Sequence, residues 1–237
     1  MIFNGISFEI PFFILYFCNM SKLIIPSKTE RLMQKSPFLL TRGHDFVEIC
    51  GTKWATCNIG AEKPTDYGLY FQWGDTQGYT AEQVRNGEKR FSWEDYRHIS
   101  NQMVIKYNLT DNKMVLELSD DAVHFNWGGA WRMPTREEFE TLYKAVDTAW
   151  TENYQGSGVA GLVCIAKTDS SKELFFPATG CCYEGEAGDV GHSGFYWSNI
   201  GNDTHMGAAY GMGFSRYGPF FDCHYARNNG LSVRGVC

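Results

Sequence analysis

The stretch Asn126-Trp127-Gly128-Gly129-Ala130-Trp131-Arg132-Met133-Pro134-Thr135-Arg136-Glu137-Glu138-Phe139 contains a helix start whose parts can be read one by one. Thr135 follows Pro134 and precedes Glu138 by three residues, the spacing of a capping box in which each side chain accepts from the other residue's backbone amide. Glu137 and Glu138 put negative charge where the unpaired N–H groups of a helix start concentrate positive potential. Phe139, Leu142, Tyr143 and Val146 then recur at helical spacing, which predicts one clear helix over 135–146 with a single apolar stripe. Just upstream, Asp120-Asp121-Ala122-Val123 reads as a short turn or helix that delivers the chain to Trp127 and Trp131.

Outward from this block the pattern changes to strands. Phe46-Val47-Glu48-Ile49 alternates, Gly51 turns, and Lys53-Trp54-Ala55-Thr56-Cys57 returns, a hairpin that opens the domain. Pro64, Asp66 and Gly68 are turn residues, and Leu69-Tyr70-Phe71-Gln72-Trp73-Gly74 follows as an aromatic strand or bend. Residues 75–119 are polar and irregular, broken by Gly78, Gly87 and Asn108. An excursion of that length is functional or a decorated insertion. Residues 156–166 and 172–178 predict a second hairpin. Beyond Tyr183 the chain is Gly-rich, with strand-like pieces at Phe195-Tyr196-Trp197-Ser198, 208–214 and 231–236, and no tandem repeat emerges. The expectation is an α+β domain over 44–237 with short antiparallel sheets and long loops.

At 237 residues the chain is long enough to bury a real core without staples. Its formal charge of -6, with scattered basic residues, lacks the positive footprint that phosphate backbones require, so nucleic acid is not an expected partner. Eight cysteines show neither a C-x-x-C pair nor zinc-ribbon spacing; disulfides, Cys50 with Cys57 for instance, and free thiols both remain open. Residues 1–43 read as a leader or N-terminal extension. The apolar run from Ile6 to Phe17 resembles a signal h-region, and Leu15-Tyr16-Phe17-Cys18 has the leucine and cysteine of a lipoprotein site. However, no Lys or Arg precedes the run and Glu9 and Pro11 interrupt it, so the expectation is a start at Met20. The run is too short for a comfortable membrane span. Ser27, Glu30 and nearby apolar residues predict a short helix within 27–40.

Four blocks together carry a family resemblance: Lys53-Trp54-Ala55-Thr56-Cys57-Asn58-Ile59-Gly60-Ala61, the Trp127 to Phe139 block, Tyr196-Trp197-Ser198, and Gly230-Leu231-Ser232-Val233-Arg234-Gly235-Val236-Cys237. Over residues 44–237 the chain resembles the C-type-lectin-like domains of the formylglycine-generating-enzyme type, as found in gut-bacterial major paralogous domain proteins. The resemblance implies a C-type lectin-like fold that displays a ligand-binding surface.

The segment 199–237 has an unusual alphabet. It contains no Lys, Glu, Gln or Trp, although all seven tryptophans occur upstream. It uses Asn, Asp, His, Tyr, Phe, Ser, Thr, Gly, Ala, Arg, Cys and Pro, residues reached from an asparagine codon when its adenines are replaced; Met206 and Met212 depart. That alphabet is similar to that of the variable proteins of diversity-generating retroelements, in which adenines of one lectin-like surface are randomised just before an ending like Gly-Phe-Ser-Val-Arg-Pro-Val. Here Leu231 and Gly235 replace the Phe and Pro of that ending. An undiversified, loop-heavy surface remains the other reading. In either case Tyr210, Tyr217, Phe220, Phe221 and Tyr225 offer rigid aromatic area, and Asn202, Asp203, His205, Asp222, His224 and Asn228 offer adaptable hydrogen bonds, the mixture binding loops use. The expected partner is a protein or glycan receptor on a cell surface, and the expected setting is a phage virion or the surface of a gut bacterium.

Other chemistry finds less support. A copper oxidase of the formylglycine type needs two C-terminal thiolates; Cys223 falls near the first location and Cys237 beyond the second. Neither Glu-Pro-Asn nor Gln-Pro-Asp occurs for a sugar-binding calcium loop; Asp120-Asp121 and the Glu184/Glu186 pair are the remaining calcium candidates. With no Gly-x-Ser-x-Gly and no His-Glu-x-x-His, the sequence supports neither hydrolase nor zincin chemistry, and no enzyme or cofactor is expected. Trp54, Trp127, Trp131 and Trp197 read as core, Trp73 and Trp93 as core or ligand platform, and His44, His98, His124 and His192 as surface or structural residues.

Overall fold

Cys50 and Gly51 both take positive φ (51° and 80°), the two-residue turn that matches strand twist, and they join β1 (Phe46–Ile49) to β2 (Thr52–Asn58). The computed structural model describes residues 44–220 and 223–237, all within the unit Phe38–Cys237; the expected leader and the helix within 27–40 lie outside the described residues. On its other edge β2 receives β16 (Arg234–Val236), with Val236 opposite Trp54, and Lys53 and Cys237 exchange both backbone hydrogen bonds at 3.0 Å. The hairpin that opens the domain is therefore also the seat of its last strand.

The 75–119 excursion is mostly irregular. It contains α1 (Ala81–Arg85), capped by a Thr80–Gln83 box, and a two-stranded hairpin, β4 (Ile99–Ser100) with β5 (Met103–Val104). Two non-glycine residues, Asn101 and Gln102, form its turn at φ 48° and 61°. Asp121 caps α2 (Ala122–Trp127) by accepting from the amides of Val123 and His124, and the same carboxylate accepts from Met133 N at 2.9 Å. The central block is thus tied down at both ends.

The helix read from the capping box is α3 (Arg136–Ala145), with both halves of the box made. Arg132 adds a fork, Nη1 and Nη2 each donating to Glu138 at 2.7 Å. Its backbone exchanges hydrogen bonds with Val236 at 3.0 and 2.9 Å, which links the helix start to β16. Gly235 is needed there, because a Cβ would meet Trp127 Cζ3 at 2.3 Å. The helix stops one residue short of the expected end: Val146 opens β6 (Val146–Thr151), which pairs along its whole length with β7 (Gly161–Ala166), itself paired with β8 (Glu173–Pro177).

The largest sheet runs in the order Gly218–Phe220, Ala208–Ser215, Ser193–Gly201, Leu231–Ser232 and Tyr70–Phe71, with His224–Ala226 also paired to Ala208–Ser215. Its spine is the long hairpin of β11 (Ser193–Gly201) and β12 (Ala208–Ser215); β13 (Gly218–Phe220) and β14 (His224–Ala226) share the outer side of β12, while β15 (Leu231–Ser232) and β3 (Tyr70–Phe71) lie inward. A smaller pair, β9 (Cys181–Tyr183) and β10 (Glu186–Gly188), completes the strands. Successive residues of β11 point to opposite faces. Tyr196 joins the core formed with Trp54, Phe139, Leu142 and Phe176, and Trp197 joins the core formed with Trp73, Val123, Met133 and Leu231. Two crossed hydrogen bonds fix the second core, Trp197 Nε1 to Phe71 O at 2.7 Å and Trp73 Nε1 to Ser198 O at 2.9 Å. The architecture is α+β, mostly short antiparallel sheets with no closed barrel.

Arg234 is the buried pin of the closing strand. Its guanidinium donates to Asn58 Oδ1, to the carbonyls of Ala55 and Thr56, and to Phe175 O, at 2.9 to 3.1 Å, and rests 4.5 Å from the Phe176 ring. Desolvation lowers its pKa from the usual arginine value. Trp54 and Trp197 are buried as expected, Trp127 and Trp131 are half-buried, and Trp73 resolves to core.

Candidate functional site

The segment expected to form the recognition face begins where β11 loses register. Between Trp197 and Gly201 the pairing with β12 shifts, and Ser198 Oγ fills the irregularity, donating to Tyr210 O at 2.8 Å and accepting from Ile200 N at 3.2 Å. The turn that follows is built by Asn202, whose Oδ1 accepts from Thr204 N, Thr204 Oγ1 and His205 N at 2.8 to 2.9 Å. At 2% exposure Asn202 faces the protein. This corrects its assignment as a ligand contact: its amide shapes the loop that carries Asp203 and His205.

Those two neighbours are exposed. Asp203 accepts from Tyr210 OH at 3.3 Å, and the His205 ring stacks on His224 with centroids 5.5 Å apart and planes 12° apart. Tyr210 is half-buried on β12, its ring 4.3 Å from the Arg136 guanidinium and edge-on to His224. Tyr217, at the turn between β12 and β13, is 91% exposed, and Phe220 is 39% exposed. His224 opens β14 and is exposed. Phe221 and Asp222 lie outside the described residues.

Tyr225 and Asn228 point inward, a second correction. Alternation along β14 turns Tyr225 under the sheet, its ring 5.4 Å from Phe195 and 6.0 Å from Trp197, and burial pushes its phenol far above the ordinary tyrosine value. Glycines on β12 make room for it, since a Cβ at Gly213 would meet Tyr225 Oη at 2.3 Å. Asn228 is fully buried; its carbonyl accepts from Gln72 Nε2 at 3.0 Å and its side-chain amide donates to Phe91 O at 3.4 Å. Residue type alone does not separate an amide that holds a loop from one that faces a ligand.

Sequence reasoning missed Arg227. It is fully buried, donates from Nε to Ala208 O at 2.8 Å and from Nη1 to Tyr107 O at 2.9 Å, and lies 4.4 Å from the Trp73 ring. This one side chain therefore fastens the recognition segment to the 75–119 insertion. Desolvation lowers its pKa from the usual value. Nothing in the local sequence distinguishes it from a solvent-facing arginine.

The insertion borders the face. Trp93, read as core or platform, is half-buried with its ring edge over Gly207, where a Cβ would stand 3.4 Å from Cη2. Between the insertion and the 205–208 turn run two contiguous cavities of about 910 and 600 Å³, sharing Gln102, Val104 and Gly207. Met103, Leu109 and Met206 are 67%, 71% and 40% exposed beside them. Met103 and Leu109 drew no attention in the sequence, because isolated apolar residues in an irregular stretch carry no periodic signal, and Met206 stood out only as a departure from the restricted alphabet.

Three of the metal-candidate residues, Asp120, Asp121 and Glu184, are engaged elsewhere. Asp120 accepts from Lys106 and from Tyr107 OH and pairs with Arg97 at 3.5 Å, Asp121 caps α2, and Glu184 pairs with Arg90 at 3.0 Å. Cys223 leads into β14 on the large sheet, whereas Cys237 follows β16 beside Lys53 on the three-stranded sheet. The seven described cysteines are free thiols, and the described residues contain no group of three or more His, Cys, Asp or Glu placed to hold a metal ion. No helix among the described residues is long and apolar enough to cross a membrane.

No family model, curated protein or solved structure matches this chain.

Proposed function

We propose that the chain is a ligand-display protein: a C-type-lectin-like scaffold of the formylglycine-generating type whose C-terminal segment, diversified by a retroelement, recognises a cell-surface receptor as an adhesin does. The observation that carries this reading is the partition of the segment with the restricted alphabet. Asp203, His205, Tyr217, Phe220 and His224 face water, while Asn202, Arg227, Asn228 and Arg234 are buried and hold the backbone. Rings and short polar groups at the exposed positions give contact area at small entropy cost. Loops on a rigid sheet can exchange such residues without touching either core.

The test is a surface-display library. Randomising codons 203, 205, 210, 217, 220 and 224 is expected to leave expression of folded protein intact and to yield binders to a chosen protein target, whereas randomising 202, 227, 228 and 234 abolishes expression. Equal loss in both libraries would overturn the reading. Diversification itself predicts a neighbouring reverse transcriptase gene and a near-copy of the 3′ coding segment differing only opposite adenines; a genome without them removes that part.

A further inference from the structure

We infer that the cleft between the 93–110 part of the insertion and the wall formed by the 205–208 turn and β14 binds an extended, uncharged apolar segment of a partner protein, which lengthens the large sheet along the outer edge of β14. The inference rests on the display reading above and names the class of ligand: polypeptide, gripped by two walls of which only one lies in the restricted-alphabet segment. The cavities of about 910 and 600 Å³ fall in the size range of ligand sites. Their walls touch at one end, where Leu109 N donates to Met206 Sδ at 3.4 Å.

Charge and side-chain type select the occupant. On a chain in which 20% of residues are charged, the cleft is lined among the described residues by a single fixed charge, Glu94, and by no Lys or Arg. A phosphorylated, sulfated or sialylated ligand would find no cation there, whereas an uncharged segment loses no ion hydration on entry. Methionine and aromatic side chains with few charges are the make-up of a protein interface core. Met103, Leu109, Met206 and Trp93 supply it here.

Backbone geometry supplies the direction. Gly211 N donates to Cys223 O at 3.1 Å and Arg227 N donates to Gly207 O at 2.8 Å, so residues 223, 225 and 227 turn their polar groups toward β12. By the alternation of an antiparallel ladder, the amides of His224 and Ala226 lie on the opposite edge. Both residues line the cleft, and among the described residues β14 pairs with β12 alone. The Ala226 carbonyl already accepts from Asn229 N at 2.9 Å, so an incoming strand accepts along that edge from the amides of His224 and Ala226, and its alternate side chains reach the apolar walls.

The test pans a phage-displayed library of random peptides against the full chain and, in parallel, probes a glycan array. Peptides with alternating large apolar residues are expected, with affinity falling about tenfold or more in Leu109→Asp and in Met206→Asp. Phe125→Asp, an exposed apolar residue on α2, is the control that leaves binding unchanged. Amide exchange at His224 and Ala226 should slow when peptide is bound. Selected peptides indifferent to both cleft variants, unslowed exchange, or binding to glycans alone would each overturn the inference while leaving the display reading standing. Loss of both arms together with failure of the randomised library would sink both.

Discussion

Around Arg234 every direction is occupied: four acceptors from β2, its end and β8 surround the guanidinium, and residues 231–236 are all buried. Around Arg227, an equally buried guanidinium holds Ala208 and Tyr107, yet the residues it supports a few positions away, His205, Met206 and His224, are exposed. The same chemical device closes the fold in one place and props up an open face in the other. The difference shows that burial in this segment is assigned position by position, through the alternation of β14 and the amide of Asn202.

The sharpest way to break that comparison is Arg234→Met. Four acceptors lose their donor, three of them backbone carbonyls, and the expected cost is about 3–5 kcal/mol, read from the urea midpoint. A loss below about 1 kcal/mol would mean that the closing strand is as tolerant as the loops. Next comes Gly235→Ala, whose Cβ would meet the Trp127 ring; overpacking of this kind costs about 1–3 kcal/mol, with Trp127 fluorescence expected to shift in step. Asn202→Ala removes the acceptor for three donors and should cost about 1–2 kcal/mol, whereas Asn202→Asp keeps the oxygen and stays near the parent. Tyr217→Ala and His224→Ala are expected to change stability by about 0.5 kcal/mol or less. A large effect there would erase the distinction between the two regions.

The gentlest probe is pH. Burial raises the Glu138 carboxyl, but the Arg132 fork and the Thr135 amide outweigh it, so its pKa lies below the ordinary 4.5. A carboxylate depressed in the folded state stabilises above its unfolded pKa, and that contribution is lost as pH falls through the folded value. Glu138→Gln is therefore expected to flatten the acid side of the stability profile below pH 4.5, a difference visible in thermal melts. An unchanged acid limb would show that the charge on Glu138 strengthens neither the Arg132 fork nor the capping box.

The framework was legible because its signals are local. Thr135 and Glu138 announce α3, the alternation of Phe46 to Ile49 announces β1, and the 231–236 ending announces the closing strands. β6 was hidden, since Val146 completes an apolar stripe of the helix and only pairing with β7, 15 residues or more along the chain, turns it into a strand. The candidate face was half legible. Composition marked the segment, but Asn202, Tyr225 and Asn228 are separated from Asp203, His224 and Tyr217 by register and by contacts with Gln72, Phe91 and Trp197, all distant in sequence. The apolar wall of the insertion gave no signal, because its side chains converge only after the 99–104 hairpin folds toward the 205–208 turn.

Arg227 has one more consequence. By bonding Tyr107 and Ala208 at once, it ties the two banks together from beneath, beside the backbone bonds from Gly201 N to Met114 O and from Leu116 N to Asn199 O. Exchanges at His205 or His224 leave these ties in place. Lengthening or shortening the tip at Asn101 and Gln102 alters the depth of the channel instead. Depth and chemistry can thus be tuned separately, the first by insertions and deletions in the middle of the gene and the second by point changes near its 3′ end.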